Sequence, residues 1–218
     1  MNPGPSRTVD YAVRLLEQGL ICVPLSREGR HLDLEAMGYH PLHLQTLRKK
    51  LKELAFASVA FHFSQHPPDS DTLADWIGKS SGNLGIIGGY LNLAILDFDR
   101  TDLYEKWRRK QPGISSSTPT AKSPNGFHVY LQTAKPEISS SLHFGFKRAG
   151  HIKALGGYVL TPPPETEGEG AYQWLPGLSP FEVRPRRVES LRSLSLLPVG
   201  RLRDVHDRVF KRGWFEPK

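Results

Sequence analysis

Leu93-Ala-Ile-Leu-Asp-Phe-Asp-Arg100 is an apolar run that ends on two carboxylates, Asp97 and Asp99. Alternate residues of a β-strand project to the same side, so a strand through this run aims both carboxylates at one spot. Two hard oxygen donors at the end of a buried strand suit Mg²⁺ or Mn²⁺, ions that position phosphates and neutralise charge during phosphoryl transfer. A strand running into an Asp-rich turn gives the same string, so the flanking sequence has to decide between the two.

Upstream, Asn83-Leu-Gly-Ile-Ile-Gly-Gly89 reads as a glycine-framed strand. Only Gly88-Gly-Tyr-Leu-Asn92 separates Leu84–Ile87 from Leu93–Leu96. That link is too short for a helical crossover, so it predicts a hairpin or neighbouring strands and argues against a doubly wound parallel sheet. Downstream, Asp102–Lys110 reads as a charged helix, and Ser115 to Gly126 as a polar turn leading into the strand Phe127-His-Val-Tyr-Leu131. His128 shares a face of that strand with Tyr130, while Phe127, Val129 and Leu131 share the other. A strand histidine is often structural, yet this one follows Lys122, Ser123 and a glycine, groups that hold phosphates; both readings stand at this point. Ala149 to Pro164 predicts two short strands joined by a tight glycine turn and stopped by prolines. After the acidic loop Glu165–Gly170, Tyr172-Gln-Trp174 resumes extended structure.

Towards the N-terminus, Thr8 caps a predicted helix through Gln18, with Val9, Ala12, Val13 and Leu16 on one face and Gly19 past its end. Ile21–Leu25 reads as a short strand, Arg27–His40 as a loop, Leu42–Phe56 as an amphipathic helix, and Asp71–Ile77 as a helix presenting Trp76. From about Arg186 the chain reads as helical and basic, an extension leading towards a further domain.

The chain of 218 residues is 38% apolar, enough to bury a core, and carries a formal charge of +7. Arg48-Lys49-Lys50, Arg108-Arg109-Lys110 and Arg184 to Arg187 supply much of the excess. Either these are solvated faces, or Arg48, Lys49, Arg108 and Arg109 contact a polyanion such as nucleic acid. Apolar runs stay far short of the roughly 20 residues that span a bilayer. The N-terminus lacks a secretory pattern and Cys22 is the sole cysteine, so a reducing cytoplasm is expected, with neither disulfides nor a cysteine zinc site.

In order along the chain, N-L-G-I-I-G-G at Asn83, L-D-F-D at Leu96, S-P-N-G-F-H-V-Y at Ser123 and G-G-Y-V-L-T-P-P-P at Gly156, with Y-Q-W after it, resemble the bifunctional DNA primase/polymerase domain of the archaeo-eukaryotic primase superfamily. The resemblance covers roughly residues 8 to 185, and the ordered set is far more specific than any one motif. It implies an α+β fold: an RRM-like, mainly antiparallel catalytic sheet with an N-terminal α/β subdomain packed beside it, residues 1–185 forming the catalytic domain and 186–218 a basic helical extension. It also implies nucleotidyl transfer from NTPs or dNTPs on a single-stranded DNA template and primer, in a plasmid, phage or bacterial replication setting, with a helicase in cis or in trans.

Carried over residue by residue, Asp97 and Asp99 would bind the divalent ions and His128 would lie by the nucleotide phosphates, helped by Lys122 and Ser123. The family's third motif usually has an aspartate on the strand before its glycine turn; here His151 stands there, and no aspartate occurs between Asp102 and Asp204. His151 as ligand would favour Mn²⁺ over Mg²⁺. Glu182 could instead substitute from another strand, or the nucleotide could complete the coordination; a purely structural His151 also stands. Lys153, on the same strand face as His151, reaches the triphosphate or is a surface lysine. Tyr158, Tyr172 and Trp174 stack on a base or, as expected for Trp174, pack.

Two rival readings remain from the sequence. Asp97-Phe-Asp-Arg-Thr101 also resembles the D-x-D-x-T start of haloacid-dehalogenase-type phosphohydrolases, but no later adjacent acidic pair follows. The other rival is a binding module of primase fold that lost catalysis with the third acid.

Overall fold

Helix α1 (Pro5–Glu17) turns Tyr11, Ala12 and Leu15 inward against β1 (Cys22–Pro24), whose residues are all buried. The helix starts ahead of the expected Thr8, with Pro5 in the first position, where a missing N–H costs nothing. The computed structural model describes residues 5–29, 31–39, 49–80, 82–164 and 172–199. Helix α2 (Lys49–Gln65) runs well past the expected end at Phe56. Nothing between Ala55 and Gln65 breaks a helix, and Pro67 is the first residue that does. The first part of the expected Leu42–Phe56 helix, with Arg48, lies outside the described residues. Helix α3 (Ser70–Lys79) is capped by Asp69, whose carboxylate accepts from the Thr72 N–H at 2.7 Å.

Two sheets follow from the strand pattern. β1, β2 (Leu84–Ile87) and β8 (Tyr158–Leu160) form a small antiparallel sheet in the order β1-β2-β8. The large sheet contains β3 (Leu93–Phe98), β4 (Thr120–Lys122), β5 (Phe127–Thr133), β6 (Ser140–Phe144), β7 (Lys147–Lys153), β9 (Gln173–Trp174), β10 (Arg186–Val188) and β11 (Leu196–Val199). Its order is β11-β6-β7-β3-β5-β4-β9, with β10 pairing in parallel along the second half of β5. Both neighbours of β3 are antiparallel to it, so the run of β-α units that a phosphohydrolase reading requires is not what surrounds Asp97.

Three expectations are corrected here. β2 and β3 are not a hairpin: they belong to different sheets, because Leu91 and Asn92 take left-handed backbone (φ 51° and 60°) in the turn Tyr90–Asn92 and swing the chain from one sheet to the other. β7 and β8 likewise do not pair with each other; the glycine turn between them carries the chain back to the small sheet, where β8 joins β2. The stretch after Arg186 is extended rather than helical up to Val199, apart from a turn at Leu191–Leu194. Val188 of β10 and Leu196 of β11, with Leu191 and Leu194 of the turn, are buried in the core on the α4 side of the large sheet. The sheet therefore continues through the expected boundary at residue 185.

The large sheet separates two cores. On one face Ile95, Ala121 and Tyr130 pack with α1, β1 and β2 residues such as Tyr11, Leu15 and Ile86. On the other, Leu96, Phe98, Val129 and Ile152 pack against Leu103, Tyr104 and Trp107 of α4 (Thr101–Lys110), which the short α5 (Pro112–Ser115) follows. Among the described residues no helix is long and apolar enough to cross a membrane.

Candidate active site

Antiparallel register sets three side chains abreast. Asp97 of β3 stands opposite His128 of β5 on one side and His151 of β7 on the other, so all three project from the same face. The approach depends on two glycines. A Cβ at Gly126 would lie 1.8 Å from the Phe98 carbonyl oxygen, and one at Gly150 would lie 1.9 Å from that of Asp97, so the end of β3 is gripped between bare backbones. The Asp99 N–H completes the grip by donating to the Ala149 carbonyl at 2.9 Å.

His128 is buried, and its Nε2 lies 3.3 Å from Oδ1 of Asp97. Its Nδ1 is also buried and has no hydrogen-bond partner among the described residues. Burial opposes the charge on Asp97, but the His128 hydrogen bond and the electrostatics of His128, Lys153 and His151 outweigh it and hold that carboxyl below the usual range. Asp99 moves the other way: desolvation, then repulsion by Asp97, push its carboxyl up. Burial, then Lys153, lower the imidazole of His151.

Strand β7 carries a bulge here. Leu142 pairs with Gly150 but His143 pairs with Arg148, leaving Ala149 as an extra residue. The bulge brings Arg148 beside His151 on the Asp97 face, where the guanidinium Nη2 donates to His151 Nε2 at 2.7 Å. Strict alternation puts Arg148 on the opposite face, so sequence reasoning missed it.

Asp97, Asp99, Ser123, His128 and Lys153 line a cleft of about 550 Å³. Its far wall comes from the N-terminal layer and the β8 segment, with His31 stacked on Phe56 at 4.9 Å and Gly156 to Leu160 alongside. The loop containing His31 gave no functional signal in the sequence, because its approach to β3 is made only in the tertiary fold. Tyr172 also lines the cleft, its ring 5.9 Å from that of His128. Trp174 packs at 5.2 Å on the buried Tyr130, and its indole N–H donates to the Tyr11 hydroxyl.

The other expected site residues, Ser123 apart, lie away from the cleft. Lys122 pairs with Phe127 while its neighbour Ala121 pairs with His128, so alternation turns Lys122 to the opposite face. Ser123 lines the cleft, but its hydroxyl already accepts from the Gly126 N–H at 3.1 Å and closes the turn. Arg108 pairs with Glu105 at 2.9 Å and Arg109 donates to the Glu105 carbonyl, both at the end of α4 and across the sheet from the cleft. Lys49 begins α2. Glu182 does not replace the third acid: it is exposed and accepts from the Ser179 N–H and hydroxyl in its own turn.

Among the described residues no group of three or more His, Cys, Asp and Glu side chains converges as a metal cage. The acceptor-only oxygens of Asp97 and Asp99 fit a hard divalent ion whose remaining ligands are phosphate oxygens and water. His151 fits less well, because its Nε2 already accepts from Arg148. No curated protein matches the chain. The cleft, the paired carboxylates and the strand histidine nevertheless fall within residues 12–188, which match the family model for the N-terminal domain of bifunctional DNA primase/polymerases, and the chain belongs to that family.

Proposed function

We propose that the protein is a template-directed nucleotidyltransferase that joins NTPs or dNTPs to a primer 3′-hydroxyl, or to an initiating nucleotide, on single-stranded DNA. The observation that carries this reading is the pair Asp97 and His128 in the cleft, with Asp99 and Lys153 beside them and His151 abreast of Asp97 on the next strand, inside a matched primase/polymerase domain. Asp97 and Asp99 would hold Mg²⁺ or Mn²⁺, with Mn²⁺ favoured wherever an imidazole nitrogen joins the coordination. When bound, such an ion neutralises phosphate charge and lowers the pKa of the attacking hydroxyl. His128 keeps Asp97 ionised and oriented in its buried position. Lys153 and Arg148 offer the phosphates fixed positive charge, and the guanidinium is held in place by His151. Tyr172 and the Phe56/His31 stack give the cleft flat apolar walls of the kind a base occupies. A replicative helicase in cis or in trans fits this role as a partner.

The test is primer extension on a primed single-stranded template with dNTPs and either ion, comparing the wild type with an Asp97→Ala/Asp99→Ala variant. Extension by the wild type and its loss by roughly a hundredfold or more in the variant are expected. The engagement of His151 by Arg148 favours one other reading, a nucleic-acid-binding module without transfer activity. Tight binding of single-stranded DNA with no extension under either ion would select it.

A further inference from the structure

Strands β6 and β7 join through a two-residue turn, Gly145-Phe146, between the paired residues Phe144 and Lys147. Phe146 at its tip is fully exposed. A single exposed apolar side chain is ordinary by itself, so the significance of Phe146 rests on its neighbours. The surroundings are cationic. Lys147 and Arg148 follow it and are exposed, and from the helical side Lys110 stands over the Phe144 ring at 5.8 Å. No ion pair among the described residues engages Lys110 or Lys147.

The tip is also well placed. β3 ends at Phe98 opposite Gly150, and the Asp99 N–H bonds to Ala149, so the chain from Arg148 back to Gly145 projects beyond the carboxylates. At the rise of a strand, Phe146 stands roughly 10 Å past the Asp99 backbone. An exposed aromatic ring beyond the carboxylate end of β3, with Lys147 and Lys110 beside it on the helical side of the sheet, matches the chemistry of single-stranded nucleic acid: a π-face for an unstacked base and point charges for its backbone.

We propose that the β6–β7 hairpin tip is a stacking platform for single-stranded nucleic acid, with Phe146 against a base and Lys147 and Lys110 on the flanking phosphates. The choice of partner rests on the nucleotidyltransferase reading, but the contact is made outside the row of Asp97, His128 and His151. The tip would hold the strand beyond the carboxylate end of β3 while the cleft handles the nucleotide.

The experiment is fluorescence anisotropy of a labelled oligo-dT against the full chain, for wild type, Phe146→Ala, Phe146→Trp and Lys147→Ala, across a salt series. Phe146→Ala is expected to weaken binding about tenfold, within the 5- to 150-fold range of one lost stack, with an unchanged salt slope, and Phe146→Trp to restore it. Lys147→Ala is expected to lower the salt slope by about 0.7. Equal oligonucleotide affinity of wild type and Phe146→Ala overturns the proposal, as does a wild type that does not bind the oligonucleotide. A wild-type self-association lost in Phe146→Ala at unchanged oligonucleotide affinity also overturns it and assigns the tip to a second copy of the chain. Primer extension by the same samples keeps the two readings apart. Binding through Phe146 without extension supports the platform and sinks the transferase, whereas extension with Phe146-independent binding does the reverse.

Discussion

Replacing Gly150 by alanine tests whether the grip on β3 builds the site. The added Cβ would sit 1.9 Å from the Asp97 carbonyl oxygen and 2.9 Å from both the Asp97 carbonyl carbon and the Asp99 nitrogen. Ordinary contact begins near 3.4 Å, and every atom in the way is backbone, so no side-chain rotation relieves the clash. Overpacking of this kind costs about 1–3 kcal/mol. The backbone at φ 153° adds about 1–3 kcal/mol for a residue with a Cβ. A loss of about 4 kcal/mol follows, which for a chain of this size lowers Tm by roughly 8–16 °C in a thermal melt. Gly113, inside α5 with nothing within 4 Å of a built Cβ, is the control: Gly113→Ala should stay within about 1 kcal/mol of wild type, on the stabilising side. Below its melting point, Gly150→Ala should also lose primer extension more steeply than fold, because the displaced backbone carries Asp97 and Asp99. A Gly150→Ala variant melting within about 3 °C of wild type would refute the reasoning.

His128→Ala removes the nearest partner of a largely buried carboxylate and should cut extension roughly a hundredfold while leaving single-stranded DNA affinity intact; undiminished extension would remove His128 from the site. Tyr11→Phe strands two buried groups, the Pro162 carbonyl that accepts from the hydroxyl at 3.0 Å and the Trp174 indole that donates to it at 2.8 Å, at a cost of about 1–3 kcal/mol in chemical denaturation. Burial pushes the Tyr11 hydroxyl up to about 12, so its contribution is complete below the unfolded value of 10.0 and is lost as pH rises from there towards 12; wild-type stability should fall by about 3 kcal/mol more than that of Tyr11→Phe across this window. His151→Asp restores an oxygen donor at the third position and should raise Mg²⁺-supported extension above wild type; a fall with Mg²⁺ would show that the imidazole is needed as such.

The DFD strand was legible because its information is local: a short continuous apolar run ending on charges can be read without knowing its neighbours. Pairing was not. Gly88 to Asn92 has the composition of a hairpin turn, yet the left-handed Leu91 and Asn92 send β3 to a different sheet from β2, and only the distant partners of each strand, β7 for β3 and β8 for β2, decide that outcome. Arg148 was hidden for a related reason, since one extra residue at Ala149 reverses the alternation by which faces are assigned. Lys122 was chosen for its nearness in sequence to Ser123 and His128, but a strand places side chains by parity, and parity puts it with Phe127. The helical reading after Arg186 rested on charge, whereas the buried Val188, Leu191 and Leu196 answer to a core the sequence does not display.

The departure at residue 151 changes the electrostatics of the site as well as its ligand count. Two carboxylates in a shared cleft repel: desolvation and then Asp97 push the Asp99 carboxyl up, whereas the His128 hydrogen bond helps to hold that of Asp97 down. An aspartate at position 151 would add a third like charge beside them and make the cleft depend on bound cations for its neutrality. With His151 held by Arg148, and Lys153 on the same strand face, the chain itself supplies the positive charge. Under the proposed function, a nucleotide bound with its metal would exchange these partners, its phosphates facing the guanidinium and ammonium and the carboxylates holding the ion. Asp99, its carboxyl pushed up by desolvation and by Asp97 and without a hydrogen-bond partner among the described residues, would gain most from a bound cation.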